Sequence, residues 1–412
     1  MDSNEVKYYL KQDHHAEIFA AAARLNGVIK PTPLIRSDFY SAEYGADVYL
    51  KPENLQVTGS FKIRGAYNKI ALLDDKELKK GIISASAGNH AQGVAFSANR
   101  HKAPATIVMP NITPLLKVDA TKAYGADVIL HGDVYDESFS KAVELAEQND
   151  LTFIHPFDDY RVICGQGTLG LEILEELPDT DEIIVPIGGG GLIAGILLFV
   201  KAANPNVKII GVIPEGSPAV KVSLEKGRVK RQDNIYTCAE GVAVKQPGDL
   251  TFAIIKKYLD EIVTVSEKDI MENILLMMEK HKLVTEAAGV VSLAAIRQRA
   301  RADRKIVCLV SGGNIDTVTV SSVVNQGMIS RGRIMCFSVE LPDKPGQLVA
   351  VASLLAREGA NVIELDHDQF KAIDRYSGRV ALEVTVETNG HEHIARILKA
   401  LEAENFPIRR IY

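Results

Sequence analysis

Tryptophan is absent from this 412-residue chain, and cysteine occurs only four times. The cysteines have neither the CxxC spacing nor the nearby histidines of a zinc site. They are therefore expected to be reduced thiols that behave as small buried hydrophobes, as in most cytoplasmic proteins. These residues are Cys164, Cys238, Cys308 and Cys336.

A strong excess of charge and a long hydrophobic run are also missing. The net charge is only −6, and lysine and arginine are dispersed, so the chain offers no attractive field to nucleic acid or to an anionic membrane. The longest apolar run, residues 192–200, is too short to span a bilayer. The opening residues MDSNE do not resemble a signal peptide. We expect a cytoplasmic protein without nucleic-acid or membrane partners.

Apolar strands alternate with helices as far as about residue 325. Such strands, separated by helices, are typical of parallel sheets covered on both faces, so an α/β fold is predicted for this part. A small subdomain at about residues 50–160 is expected to be inserted in a larger one. The predicted strands are residues 47–51, 81–84, 105–110, 127–131, 152–155, 182–187, 208–212, 261–265 and 306–310. The predicted helices include residues 14–27, 89–100, 117–124, 137–148 and 167–176.

The pattern changes after a polar, glycine-containing stretch at residues 326–333, which we interpret as a linker. The order βαββαβ then follows, which is the ferredoxin-like α+β arrangement. The predicted organisation is a catalytic domain (1–325), a linker and a second domain (334–412). The strands of the second domain are expected at residues 334–341, 361–370, 379–388 and 407–412, and its helices at 347–359 and 391–404.

The motif GSFKIRGA at residues 59–66 places Lys62 among apolar and small side chains. Burial disfavours the ammonium form and lowers the pKa of the amine, as a lysine that holds an aldehyde as a Schiff base requires. A solvated lysine on an amphipathic helix remains an equal alternative from this motif alone.

Two further motifs follow predicted strands, where ligands of α/β sheets bind. SASAGNH at residues 84–90 opens a helix, whose free amides suit a carboxylate, although ordinary N-capping by Ser86 or Asn89 is an alternative. GGGGL at residues 188–192 separates an apolar strand from an apolar helix, and its backbone can wrap a phosphate. It matches neither a P-loop nor a dinucleotide fingerprint, so ATP and NAD are disfavoured.

A fourth motif, SGGN at residues 311–314, follows the last strand of this part and is by itself as often a turn as a site. A Schiff-base lysine, a phosphate loop and a strand-end serine in one chain point together to pyridoxal 5′-phosphate as the cofactor.

The four motifs occur in the order and spacing of threonine dehydratases, which this chain resembles over about residues 15–325. The resemblance implies the tryptophan-synthase-β-like fold of pyridoxal-phosphate enzymes, with two subdomains. It also implies that Lys62 holds the cofactor and acts as base, while Phe61 lines the ring. The implied partner of the ring hydroxyl is Asn89, and that of the ring nitrogen is Ser311. The phosphate would be bound by Gly188, Gly189, Gly190, Gly191 and Leu192, and the substrate carboxylate by Ser86, Ala87, Gly88, Asn89 and His90.

Ser311 favours β-elimination over transamination. A hydroxyl cannot keep the ring nitrogen protonated as a carboxylate would, so the cofactor becomes a weaker electron sink. A less stabilised carbanion favours prompt loss of the β-hydroxyl. The expected reaction is therefore deamination of L-threonine to 2-oxobutanoate and ammonia, with L-serine as a poorer substrate. L-serine dehydratase and a serine racemase-like enzyme are the alternatives, and a non-catalytic amino-acid sensor is the alternative outside enzymes.

Two positions depart from the serine racemases of this fold. Those relatives carry a hydroxyl where this chain has Ala87, so racemisation is not expected. They also bind a divalent cation with a glutamate and a second acid six residues later. Glu215 matches the first, but Lys221 replaces the second and is expected to pair with Glu215. No metal is predicted.

The C-terminal domain resembles an ACT domain, from FSVELPDKPGQL at residues 337–348. Such domains commonly pair and bind amino acids near the loop after their first strand, although a purely dimerising role is an alternative. The resemblance implies an allosteric enzyme, of the kind found in isoleucine biosynthesis, that is a homodimer or homotetramer. The expected effector contacts are Asp343, Lys344, Pro345, Gly346, Gln347 and Asn361.

Overall fold

The computed structural model describes residues 2–299, 301–368 and 379–412. The chain divides into two compact units, Met1–Asp316 and Thr317–Tyr412. Within the described ranges, no helix combines the length and the apolar character needed to cross a membrane. Three cysteines are buried as predicted, but Cys238 is exposed, because it lies in an irregular segment and not in a strand or helix.

The first unit contains strands and helices in alternation. Its strands are β1 (Ile35–Arg36), β2 (Asp47–Pro52), β3 (Ile82–Ala85), β4 (Ala105–Met109), β5 (Asp127–Leu130), β6 (Thr152–Phe153), β7 (Glu182–Pro186), β8 (Lys208–Pro214), β9 (Glu261–Val265) and β10 (Lys305–Val310). Its helices are α1 (Ser3–Tyr9), α2 (His14–Leu25), α3 (Asp38–Tyr44), α4 (Lys62–Ile70), α5 (Asp75–Lys80), α6 (Asn89–Arg100), α7 (Leu115–Ala123), α8 (Tyr135–Asn149), α9 (Tyr160–Glu176), α10 (Gly191–Ala203), α11 (Ala219–Lys226), α12 (Asp249–Tyr258), α13 (Glu267–Leu276), α14 (Val291–Ala294) and α15 (Ile296–Arg299). Short helical turns lie at Glu53–Leu55, Met277–His281, Glu240–Val242 and Ala287–Val290.

Two sheets organise this unit, as far as the chain is described. The larger has the order β1-β2-β10-β7-β8-β9, with parallel pairing except for β1, and the smaller has the all-parallel order β5-β4-β3-β6. Every residue of β7 is buried, as expected where helices cover both faces of a sheet. The prediction of an α/β fold with parallel sheets is confirmed, and the smaller sheet lies inside residues 50–160.

Helix α10 forms part of the hydrophobic core that packs against the larger sheet. Its residues from Gly191 to Val200 are all buried, because a helix that is apolar all round packs inside the protein and not at its surface. It packs against α9, where Gly195 lets the two backbones approach closely: a Cβ there would lie 2.4 Å from the Ile163 carbonyl oxygen. The start of α10, at the carboxyl end of β7, is thereby fixed in position.

The second unit begins with α16 (Thr317–Ser330) and continues with β11 (Ile334–Pro342), α17 (Gln347–Glu358), β12 (Asn361–Asp368), β13 (Arg379–Glu387), α18 (His391–Ala403) and β14 (Ile408–Arg410). Its described strands form an antiparallel sheet in the order β12-β13-β11-β14, which confirms the ferredoxin-like arrangement. Residues 369 and 370 of a predicted strand lie outside the described residues.

The predicted linker at residues 326–333 differs from the structure. Helix α16 continues to Ser330, and the division between the units falls after Asp316 and not after residue 325. The β-branched residues and Gly327 of this helix have low helix propensity, so its composition resembles that of a linker.

Candidate functional site

Lys62 is the first residue of α4, and its side chain is partly buried. The Nζ atom donates a hydrogen bond of 2.9 Å to the Pro156 carbonyl oxygen. Burial lowers the pKa of this amine to about 8, although the Glu286 carboxylate acts in the opposite direction. The ring centre of Phe61 lies 5.4 Å from Nζ. The alternative of a solvated helix lysine is therefore wrong.

The turn that presents the Pro156 carbonyl is held from both sides. His155 Nδ1 accepts the backbone N–H groups of Phe157 and Asp158, at 3.3 and 2.8 Å. The Asp158 carboxylate in turn accepts three backbone N–H groups at the start of α12, at 3.0 to 3.1 Å. The chain leaves the smaller sheet at this turn. Because Asp158 is bound to the start of α12, the carbonyl oxygen that accepts from the Lys62 amine is held against the part of the unit that contains the larger sheet.

The SGGN loop lies directly against the GSFKIRGA loop. Ser60 and Gly312 form an isolated β-bridge, and the Phe61 N–H donates to the Ser311 carbonyl oxygen at 3.2 Å. The Ser311 side chain is buried, and its hydroxyl donates to the Ala288 carbonyl oxygen at 3.1 Å. The first and fourth motifs therefore form one wall of a single site.

Asn89, at the start of α6, joins this wall through its side-chain amide. Its Nδ2 atom donates to Glu286 Oε1 at 2.5 Å, and its Oδ1 atom accepts from Asn314 Nδ2 at 2.7 Å. Asn89 is thus not an N-cap: the N-cap of α6 is Gly88, and no side chain caps this helix end. The amides of the first turn stay available for an anion.

The side chains of the SASAGNH loop are already engaged within the protein. Ser86 Oγ accepts the Gly88 N–H at 3.2 Å. His90 Nε2 donates to the Ile154 carbonyl oxygen at 3.1 Å, while burial lowers the pKa of the imidazole to about 3 and keeps it neutral. His90 can therefore meet a carboxylate through its backbone N–H, not through its side chain.

The glycine loop is packed so closely that no side chain would fit. A Cβ on Gly189 would lie 2.3 Å from Phe157 Cδ1, and one on Gly191 would lie 2.9 Å from Phe157 Cβ. Gly190 has φ of +96°, which favours glycine, and it is the N-cap of α10 without a capping side chain. The loop therefore ends at a helix N-terminus whose backbone N–H groups have no capping side chain, the type of site that binds phosphate.

The variant Gly189→Ala is expected to lose about 1–3 kcal/mol of unfolding free energy, the usual cost of overpacking. The added methyl group overlaps the Phe157 ring. The loss should be smaller in a Phe157→Ala background, where the overlapping atoms are gone, and urea titrations of the four proteins measure it. An equal loss in both backgrounds would contradict the packing described here.

These features fit the cofactor that the motifs predict. A phosphate group can accept hydrogen bonds from the backbone N–H groups of the glycine loop. An aldehyde reacts with the neutral form of an amine, and the lowered pKa of Lys62 makes that form available near pH 8. Several buried polar atoms have no hydrogen-bond partner among the described residues, and those close to the motif loops in sequence could pair with a polar guest. Two of them are Ser60 Oγ, two residues before Lys62, and Thr285 Oγ1, next to Glu286 in sequence.

Sequence reasoning missed Pro156, Phe157 and Glu286. Burial raises the pKa of the Glu286 carboxyl group to about 7, and the hydrogen bond from Asn89 partly offsets this effect. The one available signal was a single acid among small residues in TEAAG, at residues 285–289. Asn314 belongs to the fourth motif, but the sequence predicts no role for it.

The expected Glu215–Lys221 ion pair does not form among the described residues. Glu215 is exposed, and Lys221 Nζ lies 3.4 Å from Thr264 Oγ1. The reason is the position of Lys221 on α11, which brings it to the neighbouring strand β9 and not to the turn after β8. In the same described ranges, no group of three or more His, Cys, Asp or Glu side chains is arranged to hold a metal ion.

The predicted effector contacts lie at opposite ends of the sheet in the second unit. The turn at residues 343–346 follows the end of β11, whereas Asn361 pairs with Glu387, which also pairs with Ile334 at the start of β11. Asp343, Lys344, Pro345 and Gly346 form the exposed turn between β11 and α17, and Gln347 opens α17. Asn361 is the first residue of β12 and is exposed. The amino-acid contacts of these residues stay a prediction.

Comparison with known sequences agrees with the geometry. The family model described as pyridoxal-phosphate dependent enzyme matches residues 25–312, which include Lys62, the glycine loop and Ser311. The chain is also similar to an L-threonine ammonia-lyase of Thermotoga maritima, with 44% identity over 394 residues. That alignment covers 95% of this chain and 98% of the relative.

Solved structures show the same similarity. The processed form of threonine deaminase isoform 2 from Solanum lycopersicum has a TM-score of 0.74 and 40% identity, covering 79% of this chain and 94% of that chain. Maize serine racemase has a TM-score of 0.72 and 33% identity, covering 77% and 98%. The fold is thus shared by enzymes with two different activities.

Proposed function

This chain belongs to the family of pyridoxal-phosphate dependent enzymes, and we infer that it deaminates L-threonine to 2-oxobutanoate and ammonia. One observation supports this function most directly. The Lys62 amine lies where the loops of the four motifs come together, and burial lowers the pKa of this amine. The nearly full-length similarity to an L-threonine ammonia-lyase indicates the substrate.

We propose that Lys62 binds the aldehyde carbon of pyridoxal phosphate and later moves the proton at the substrate Cα. When bound, the cofactor supplies an electron sink for that carbon. The backbone amides of Gly188 to Gly191, with Leu192, hold the phosphate at the N-terminus of α10. Phe61, whose ring centre lies 5.4 Å from the amine, lines one face of the ring.

The two ring edges have different partners. Ser311 meets the ring nitrogen, and its hydroxyl hydrogen can rotate from the Ala288 carbonyl oxygen to this second acceptor. Asn89 meets the ring hydroxyl on the opposite side. A neutral hydroxyl beside the nitrogen supports elimination of the β-hydroxyl, as the sequence predicts.

The substrate carboxylate is bound at the start of α6. The backbone amides of Ala87, Asn89 and His90 are the donors in this proposal, since Ser86 Oγ already accepts the Gly88 N–H. Ala87 itself has no hydroxyl to return a proton from the opposite face. This residue supports a lyase over the racemase alternative raised by the maize enzyme, so incubation with L-serine is expected to give pyruvate without D-serine.

The rate at which the cofactor-free protein reacts with pyridoxal phosphate is expected to rise with pH, with a midpoint near pH 8. Only the neutral amine attacks an aldehyde, and burial of Lys62 lowers its pKa from 10.5 to about 8. Stopped-flow absorbance between about pH 6 and pH 10 measures the rate. A rate that still rises steeply at the upper end would mean that the attacking amine is an exposed lysine.

L-threonine is expected to have a higher kcat/KM than L-serine. The two substrates differ by one methyl group, which is worth about 1–3 kcal/mol in a pocket, or roughly 10- to 200-fold. Formation of the two 2-oxo acids, followed in parallel assays, gives the ratio. A clear preference for L-serine would replace the assignment with an L-serine dehydratase.

We further propose that the second unit is an ACT-type regulatory domain that binds an amino acid at Asp343 to Gln347 and Asn361. The exposed turn before α17 and the ferredoxin-like sheet support this proposal. A homodimer or homotetramer, a cytoplasmic location and a role in isoleucine biosynthesis stay predictions, as does the independence from metal ions.

A further inference from the structure

We propose that Glu286 is a positioning residue for the cofactor that acts through Asn89. It accepts one amide hydrogen of Asn89 and thereby directs the other to the oxygen on the cofactor ring. The inference rests on the proposed function, because it takes Asn89 as the partner of that ring oxygen.

A chain of hydrogen bonds fixes the orientation of the Asn89 amide. The Thr58 carbonyl oxygen can only accept, so the atom of Asn314 that lies 2.8 Å from it is the nitrogen. The same nitrogen lies 2.7 Å from Asn89, which must therefore present its oxygen there. The Asn89 nitrogen is left to face Glu286 Oε1, at 2.5 Å.

An amide nitrogen carries two hydrogens, and this arrangement uses one of them for Glu286. The second hydrogen is what Asn89 can donate to a guest, while its oxygen accepts a hydrogen bond from Asn314. Asn89 is consequently a donor toward the cofactor. In this arrangement the ring oxygen accepts the hydrogen bond, a role that suits its deprotonated form.

Glu286 is itself held in place by the loop that carries Ser311. Its backbone N–H donates to the Gly312 carbonyl oxygen at 3.2 Å. Its Oε1 atom lies 2.3 Å from the position that a Cβ on Gly312 would take, so only glycine leaves room for the carboxyl group. Glu286 thus lies between the residues assigned to the two edges of the ring, Asn89 and Ser311.

The charges around Glu286 do not remove its acceptor function. Lys62 and Lys117 favour the carboxylate, whereas burial and Glu240 favour the neutral acid. A carboxyl group keeps an accepting oxygen in both protonation states. The contact with Asn89 can therefore persist on either side of neutral pH.

A double-mutant cycle between Glu286 and Asn89 tests the inference. The dissociation constant of pyridoxal phosphate is measured by absorbance titration for the wild type, Glu286→Ala, Asn89→Ala and the double variant. Thermal unfolding of the cofactor-free proteins is followed in parallel. Glu286→Gln keeps an accepting oxygen, and Glu240→Ala, which removes an exposed acid nearby, is the control for charge alone.

Glu286→Ala is expected to weaken cofactor binding at least about tenfold in the wild-type background and less than about twofold in the Asn89→Ala background. Glu286→Gln and Glu240→Ala should stay within about threefold of the wild type. Equal effects of Glu286→Ala in both backgrounds, or wild-type affinity in Glu286→Ala, would overturn the inference. Failure of the proposed function looks different, because the wild type itself would then show no visible band with pyridoxal phosphate.

Discussion

Replacing Lys62 by alanine is expected to lower kcat for L-threonine at least about 10³-fold and to abolish the visible absorption band of the cofactor-loaded protein. The structure gives the site one amine with a lowered pKa, and that amine both holds the cofactor and moves the proton at Cα. Removing it removes both roles. Assays of 2-oxobutanoate formation and absorption spectra measure the two effects.

Two further variants test whether activity requires the amine itself, and not merely a positive charge at this position or an intact helix α4. Lys62→Arg keeps a cation but has no nucleophilic amine near neutral pH, so it should be as inactive as Lys62→Ala. Lys69→Ala changes a lysine on the same helix, where Lys69 forms a partly buried ion pair with Asp159, and should retain kcat within about twofold. Substantial activity in Lys62→Ala, with a normal spectrum, would assign the reaction to another residue.

Replacing Arg64 by alanine is expected to destabilise the first unit by about 3–5 kcal/mol, the usual effect of removing one partner of a buried ion pair. Arg64 is fully buried on α4, two residues after Lys62, and binds Glu53 with two hydrogen bonds of 2.8 Å. It also pairs with Glu172 on α9. Without the guanidinium group, the Glu53 carboxylate would stay buried without its cation.

The network around Arg64 makes this loss hard to compensate. Lys51, only 1% exposed, pairs with Glu172 and Glu176 at 2.8 Å and is already engaged there. Urea titration followed by circular dichroism measures the free energy of unfolding. Arg36→Ala is the matched control: Arg36 forms exposed ion pairs with Asp38 and Asp47, so its loss should cost about 1 kcal/mol or less. Equal stability of the two variants would show that the buried network contributes little.

The α/β architecture could be predicted because its strands are continuous apolar runs. Strand β9 occurs at the predicted residues 261–265, and α6 at residues 89–100, since both have a strong pattern and clear ends. Helix α9 begins at Tyr160, earlier than the predicted residue 167, because Asp159 caps it. The pairing of β2 with β10 depends on contacts between distant parts of the chain, which no local pattern encodes.

The segment between β9 and β10 was least accessible to prediction. It contains a π-helical turn at Met277–His281 and the short helices α14 and α15, whose buried residues show no lasting periodicity. Glu286 lies in this segment, in a loop, so neither helical nor strand spacing indicated its direction. Its partner Asn89 was predicted as a site residue because it opens a helix after a strand.

The site residues that sequence did identify share a different signal. Gly188 to Gly191, Lys62 and Ser311 belong to motifs in which residue type and position at a strand end both indicate chemistry. The contact partners of these groups could not be predicted, because they come from a distant part of the chain. The Pro156 carbonyl oxygen accepts from Lys62, and the Ile154 carbonyl oxygen accepts from His90. The Phe157 ring packs against the glycine loop.

Reductive trapping of the cofactor tests the central claim most directly. Borohydride adds hydride to the carbon–nitrogen double bond between pyridoxal phosphate and a lysine, leaving a stable secondary amine that peptide mass spectrometry can locate. We expect one cofactor per chain, attached to Lys62, and no label on Lys51, whose ammonium is paired with two carboxylates. Attachment to Lys51 or another lysine, or label spread over exposed lysines, would contradict the account.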